Sequence, residues 1–125
     1  MSADKQADEK LLLVVDDDSS VRESMSALLD ANGYSVQQAE NGQRALELLK
    51  KMPHLPCLIV LDLAMPVMDG RGFLKLRAAD PILQDIPVIV VSGNPSTGKR
   101  IEGIDAYLRK PVEVDRLMQV IDQHC

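Results

Sequence analysis

Three short runs of this chain are apolar almost without interruption, and the residues between them change period. Residues 11–15, 57–61 and 87–91 are rich in Leu, Val and Ile, the pattern of strands covered on both faces of a parallel sheet. A shorter run at 106–108 reads as another strand, and residues 34–37 as a fifth. Between the strands the spacing turns helical. Val21, Met25, Leu28 and Leu29 share one helical face, Ser20 and Glu23 have capping-box spacing, and Gly33 stops that helix. A second helix begins at Asn41 or Gly42, turns Ala45, Leu48, Leu49 and Met52 inward, and ends before Pro53 and Pro56. Residues 64–70 read as a loop and Gly70–Ala79 as a third helix closed before Pro81. The last helix starts near Pro111 or Val112, with Val114, Leu117, Met118 and Ile121 inward. Strands alternating with helices predict right-handed βαβ units and a doubly wound α/β sheet.

Composition narrows the class. With 125 residues and 46% hydrophobic content, the chain suits one domain with a real core, despite a single Phe and no Trp. A formal charge of −5 argues against direct nucleic-acid binding, which draws on a basic face. No run approaches membrane-spanning length, and residues 1–10 are polar, without the apolar stretch of a signal peptide. These features predict a flexible N-terminal segment over residues 1–10, a domain over residues 11–125, no membrane insertion and a cytoplasmic location. Cys57 falls in a predicted buried strand and Cys125 is the last residue, so no disulfide is expected and a reducing cytosol fits.

The carboxyl ends of the apolar runs carry the chemistry. The first leads into Asp16-Asp17-Asp18, the second into Asp62, the third into Ser92, and the fourth through Arg109 into Lys110-Pro111. Ligands of open parallel sheets gather beyond those ends, so the side chains should converge. Two carboxylates about 4 Å apart repel by about 1 kcal/mol in water and about 4 kcal/mol at an effective dielectric of 20, so an ionised cluster calls for a cation. Oxygen-only donors point to Mg²⁺. A carboxylate beside that ion can accept a phosphoryl group, with the Ser92 hydroxyl and the Lys110 ammonium supplying further positive density. Asp18 reads as a helix cap, and His54 and His124 lie far from the site and take no catalytic role. Ser96-Thr97-Gly98-Lys99-Arg100 lacks the full spacing of a phosphate loop.

Taken together, Val15-Asp16-Asp17, Asp62 with Met65-Pro66-Val67-Met68-Asp69-Gly70, Ser92, and Lys110-Pro111 resemble the CheY-like receiver domains of two-component response regulators. The resemblance covers nearly the whole chain. It implies a flavodoxin-like sheet of five parallel strands in the order 2-1-3-4-5. For the site it implies Asp17 as a direct metal ligand, Asp16 acting mainly through water, Asp62 as both ligand and phosphoacceptor, and Ala64 lending its backbone carbonyl to Mg²⁺. Ser92 and Tyr107 match the switch positions, the Lys110-Pro111 bond is expected to be cis, and the side chains of Ala64 and Asn94 would flank the path of the hydrolytic water. Implied partners are a histidine kinase or histidine phosphotransfer protein upstream, and a separate protein or fused output domain downstream. Such a domain is no metabolic enzyme and catalyses only its own phosphorylation and dephosphorylation. One departure stands out: residues 93–103 are Gly-, Pro- and Ser-rich and about one helical turn, roughly 4 residues, short of the family's spacing, so a shortened or irregular fourth helix is expected there.

Two other readings compete. Asp16-x-Asp18 also resembles the first motif of haloacid-dehalogenase-type phosphatases, but that enzyme would lack its later acidic pair and leave Asp62 without a role. A non-phosphorylated interaction module on the same fold would require decay of the acidic site, whose residues are all present.

Overall fold

The computed structural model describes residues 10–62, 70–93 and 104–125. Its strands are β1 (Leu11–Val15), β2 (Ser35–Ala39), β3 (Leu58–Asp62), β4 (Val88–Ser92) and β5 (Ala106–Arg109). They pair in parallel in the order β2-β1-β3-β4-β5, the predicted topology. Four helices accompany them among the described residues: α1 (Ser19–Ala31), α2 (Gly42–Lys51), α3 (Gly70–Ala79) and α4 (Val114–His124). The segment expected to hold a shortened fourth helix, and nearly all of the N-terminal segment, lie outside the described residues.

Successive side chains of a strand point to opposite faces, so the inner strands divide their residues by parity. Leu13, Val15, Ile59, Leu61, Val88 and Val90 pack with Ala45, Leu46 and Leu49 of α2 and with Phe73 and Leu74 of α3. Their neighbours Leu12, Val14, Leu58, Val60, Ile89 and Val91 pack with Leu29 of α1 and with Leu117, Val120 and Ile121 of α4. Each central strand thus feeds two cores, which is why those runs show no polar alternation.

Helix boundaries follow local chemistry. Asp18 caps α1 by accepting from the Ser20 and Val21 amides at 2.9 and 3.1 Å, so the cap is Asp18 and not the Ser20 capping box. Gly33, at φ +95°, closes the other end: its amide bonds to the Asp30 carbonyl, and that of Tyr34 to Leu29. Asn41 caps α2 through the Arg44 amide at 2.8 Å. The last helix begins at Val114, later than expected, and Val114 is 47% exposed while Val120 takes the inward place. Arg77 near the end of α3 is buried, and its Nε and Nη2 donate to the Ile86 carbonyl at 3.1 and 2.6 Å, fastening α3 to the turn before β4. Burial lowers its pKa from the ordinary guanidinium value, while the charges of Asp105 and Asp85 oppose that shift.

The end of the sheet away from the strand carboxyl termini holds a second set of contacts. Tyr34 hydroxyl donates to Asp122 of α4, and the Lys10 ammonium lies 5.3 Å from the centre of the Tyr34 ring. Burial, then the hydrogen bond and charge of Asp122, push the Tyr34 phenol up to about 12. Here the cysteine expectation is overturned: Cys57 and Cys125 form a disulfide with Cα atoms 5.2 Å apart. Cys57 precedes β3 and is only half-buried. An 11-residue helix runs about 16 Å, close to the length of a five-residue strand, so α4 carries Cys125 across the sheet to Cys57.

Candidate functional site

Asp16 follows β1, Asp62 ends β3, Ser92 ends β4 and Lys110 follows β5, so the topology brings all four to one edge of the sheet. Registers set their lateral order. Val15 lies opposite Leu61, Asp62 opposite Val91, and Ser92 opposite Arg109. Asp16, Asp62 and Ser92 are buried, whereas Asp17 is exposed.

One carboxylate oxygen from each of Asp16, Asp17 and Asp62 lies within 4.8 Å of the others. Opposite ligands of a cation with bonds of about 2.1 Å stand about 4.2 Å apart, so this hard, oxygen-only donor set suits Mg²⁺. The Lys110 ammonium faces the same cluster, 3.7 Å from Asp62 Oδ2 and 3.8 Å from Asp16 Oδ2. The Lys110–Pro111 peptide is cis, and the Lys110 backbone amide donates to the Ser92 carbonyl at 2.9 Å. Among the described residues, three carboxylates with one facing ammonium leave an excess of negative charge, the condition in which a divalent cation is drawn in.

Several contacts hold the acids in place. Asp16 Oδ1 accepts from the Asp18 amide at 3.0 Å, and the Asp16 amide donates to the Ala39 carbonyl at 3.1 Å. Arg22, which the sequence reading passed over, donates from Nη1 to the Asp16 carbonyl at 2.8 Å and from Nε to Gln38 Oε1 at 3.1 Å. It therefore ties α1, β2 and the acidic loop together. The only signal in the sequence was its position one turn into the helix that follows three aspartates. Tyr107 is half-buried on β5 and packs on the core covered by α2 and α3. Ala64 and Asn94 lie outside the described residues. His54 is exposed, and the His124 ring sits near the Val120 carbonyl, at 2.9 Å, within α4.

Beside Lys110, α1 and α4 leave a groove of about 640 Å³ whose apolar lining includes Val21, Met25, Leu28 and Val114. Among the described residues no helix is long and apolar enough to cross a membrane.

Comparison with known proteins gives a consistent picture. The response regulator receiver domain family matches residues 12–122. Response regulator Rre1 of Synechocystis is 38% identical over 115 residues, which are 88% of this chain and 49% of that protein. Response regulator MprA of Mycolicibacterium vanbaalenii is 39% identical over 112 residues, 86% of this chain and 46% of the relative. The chain thus spans about half the length of these curated relatives. Among solved structures, the Vibrio cholerae chemotaxis protein CheY4 superposes with a TM-score of 0.84 at 28% identity, covering 94% of this chain and 99% of that one. A response regulator receiver protein from Pseudomonas putida gives 0.84 at 25% identity, covering 92% and 97%.

Proposed function

Because the chain belongs to the response regulator receiver domain family, we propose that residues 11–125 act as a phosphoacceptor switch centred on Asp62. The observation that carries this reading is the convergence of Asp16, Asp17 and Asp62 within 4.8 Å, with Lys110 3.7 Å from the Asp62 carboxylate.

In the proposed reaction an Asp62 carboxylate oxygen attacks the phosphorus of a phosphohistidine borne by a kinase or phosphotransfer protein. An O–P bond forms, the N–P bond breaks, and the imidazole leaves with its electron pair. Asp16, Asp17 and Asp62, with the Ala64 carbonyl, would hold Mg²⁺, which when bound supplies positive charge to the phosphoryl oxygens. Lys110 offsets the charge brought to Asp62, and the Ser92 hydroxyl donates to a phosphoryl oxygen. A protein donor reaching Asp62 must cover the rim of the site, and the apolar α1–α4 groove beside Lys110 is a surface suited to that contact. The change would pass to the output surface through Ser92, which ends β4, and Tyr107, which lies within the paired strand β5, both at positions the family uses for switching. On this reading the protein acts in the cytoplasm and its only catalysis is of its own phosphorylation and dephosphorylation.

Acetyl phosphate or phosphoramidate with Mg²⁺ should add one phosphoryl group to the wild type and none to Asp62→Asn, read by intact mass. Stoichiometric labelling of Asp62→Asn, lost instead in Asp16→Asn, would replace this reading with phosphatase-type chemistry at Asp16.

A further inference from the structure

Away from the acidic edge, we propose that Cys57 and Cys125 form a reversible thiol–disulfide site, through which a dithiol–disulfide exchange partner of the thioredoxin class acts on α4. Three observations carry it. The Cα separation of 5.2 Å falls within the range, about 4.4 to 6.8 Å, in which a disulfide closes without backbone movement. Both backbones are held independently of the sulfur bond: the Cys57 amide donates to the Leu11 carbonyl at 2.8 Å and that of Cys125 to Ile121 at 2.9 Å. Both side chains are half-buried, open enough for exchange and close enough to pair.

Non-covalent anchors keep α4 in place when the bond opens. Asp122 receives the Tyr34 hydroxyl, and Leu117, Val120 and Ile121 are buried against the sheet. The domain therefore survives reduction, and what changes is how firmly the last turn of α4 is held. That helix starts four residues after Lys110, with Val114 lining the same groove as Lys110, and is capped at its end by Cys125, so it runs from the side of the acidic edge to the cysteine pair.

The exchange balances without an external electron source. One cysteine thiolate attacks a sulfur of the partner disulfide, giving a mixed disulfide and one partner thiol. The second cysteine then attacks the protein-side sulfur of the mixed bond, closing Cys57–Cys125 and releasing the second partner thiol. Two protein thiols are oxidised, one partner disulfide is reduced, and opening is the reverse.

The test equilibrates the whole chain with oxidised or reduced dithiothreitol and counts free thiols with a maleimide mass tag after acid quenching and denaturation. Oxidised protein should carry no tag, reduced protein two, and thioredoxin should interconvert them. Reduction should lower the thermal midpoint of the wild type by about 10 °C, and the same reductant should leave Cys57→Ser and Cys125→Ser unmoved. Amides of residues 122–125 should exchange at least tenfold faster in the reduced protein. Two tags in excess oxidised dithiothreitol, a disulfide between molecules on a non-reducing gel, or a bond that resists thioredoxin would each overturn the proposal.

Discussion

Replacing Asp62 with Asn should make the cation-free domain more stable, although it removes the residue on which the function depends. The oxygens of Asp62, Asp16 and Asp17 lie no more than 4.8 Å apart, and Lys110 Nζ is 3.7 Å from Asp62. Among the described residues, at an effective dielectric of 20, two repulsions of about 3.5 kcal/mol each oppose one attraction of about 4.5 kcal/mol, a balance of about 2 kcal/mol against the Asp62 charge. With the dielectric of water the same balance falls to about 0.6 kcal/mol, and the exposure of Asp17 draws the sum toward that side. A gain of about 1 to 2 kcal/mol, or roughly 3 to 8 °C in the melting midpoint, is therefore expected. Urea unfolding of wild type and Asp62→Asn in EDTA measures it, and repetition in saturating Mg²⁺ should narrow the gap, because the ion neutralises the repulsion only where all three acids remain. A variant less stable than wild type in EDTA, or a gap indifferent to Mg²⁺, would show that the carboxylates are not in net repulsion and refute the argument.

Further outcomes are expected at three residues. Asp17→Ala should weaken Mg²⁺ binding at least tenfold by titration calorimetry while leaving the fold intact, since Asp17 is the exposed member of the donor set. Tyr34→Phe should cost about 1 kcal/mol at neutral pH through the lost hydrogen bond to Asp122. The folded pKa, about 12, lies above the free phenol value of 10.0, so the Tyr34 contribution is complete below pH 10 and disappears as pH rises through 12. Denaturant unfolding at pH 8 and pH 11 should therefore show a smaller loss for Tyr34→Phe than for wild type. Arg77→Met should lower stability by about 2 to 4 kcal/mol in urea titration, because it strips the donors from the buried Ile86 carbonyl. Arg77→Lys should recover less than half of that loss, having no planar fork to reach the carbonyl with two nitrogens.

What the sequence disclosed tracks how local the physical cause is. Strands β1, β3 and β4 were legible because burial on both faces leaves an unbroken apolar run. The third helix, Gly70–Ala79, was legible from its flanking Gly70 and Pro81. The acidic edge was legible because topology alone sends Asp16, Asp62, Ser92 and Lys110 to the same ends of their strands. Contacts between distant segments were not. Arg22 looks like any solvated helical arginine until β2 supplies Gln38, and Arg77 looks solvated until the turn at Ile86 covers it. The Cys57–Cys125 pair spans 68 residues, and only the placement of α4 across the sheet brings the sulfurs together. Val114 misled for the opposite reason. Its apolar side chain keeps helical spacing, but it sits in the first turn of α4, where the groove beside α1 leaves it open.

The parity rule in the central strands sets a limit on how this gene can vary. Inserting or deleting one codon within β3 would exchange the sets Leu58, Val60 and Ile59, Leu61 between the two sides of the sheet and move Asp62 one pleat away from Lys110. A substitution in the same strand disturbs one core, whereas a single-residue indel disturbs both cores and the acidic edge at once. The edge strand β2, where only Ala39 is buried, carries no such double burden. Viable length variation should therefore be confined to the connections between elements, and a deletion scan of the intact coding sequence should show its sharpest depletion across β1, β3 and β4, even where point substitutions at the same codons are accepted.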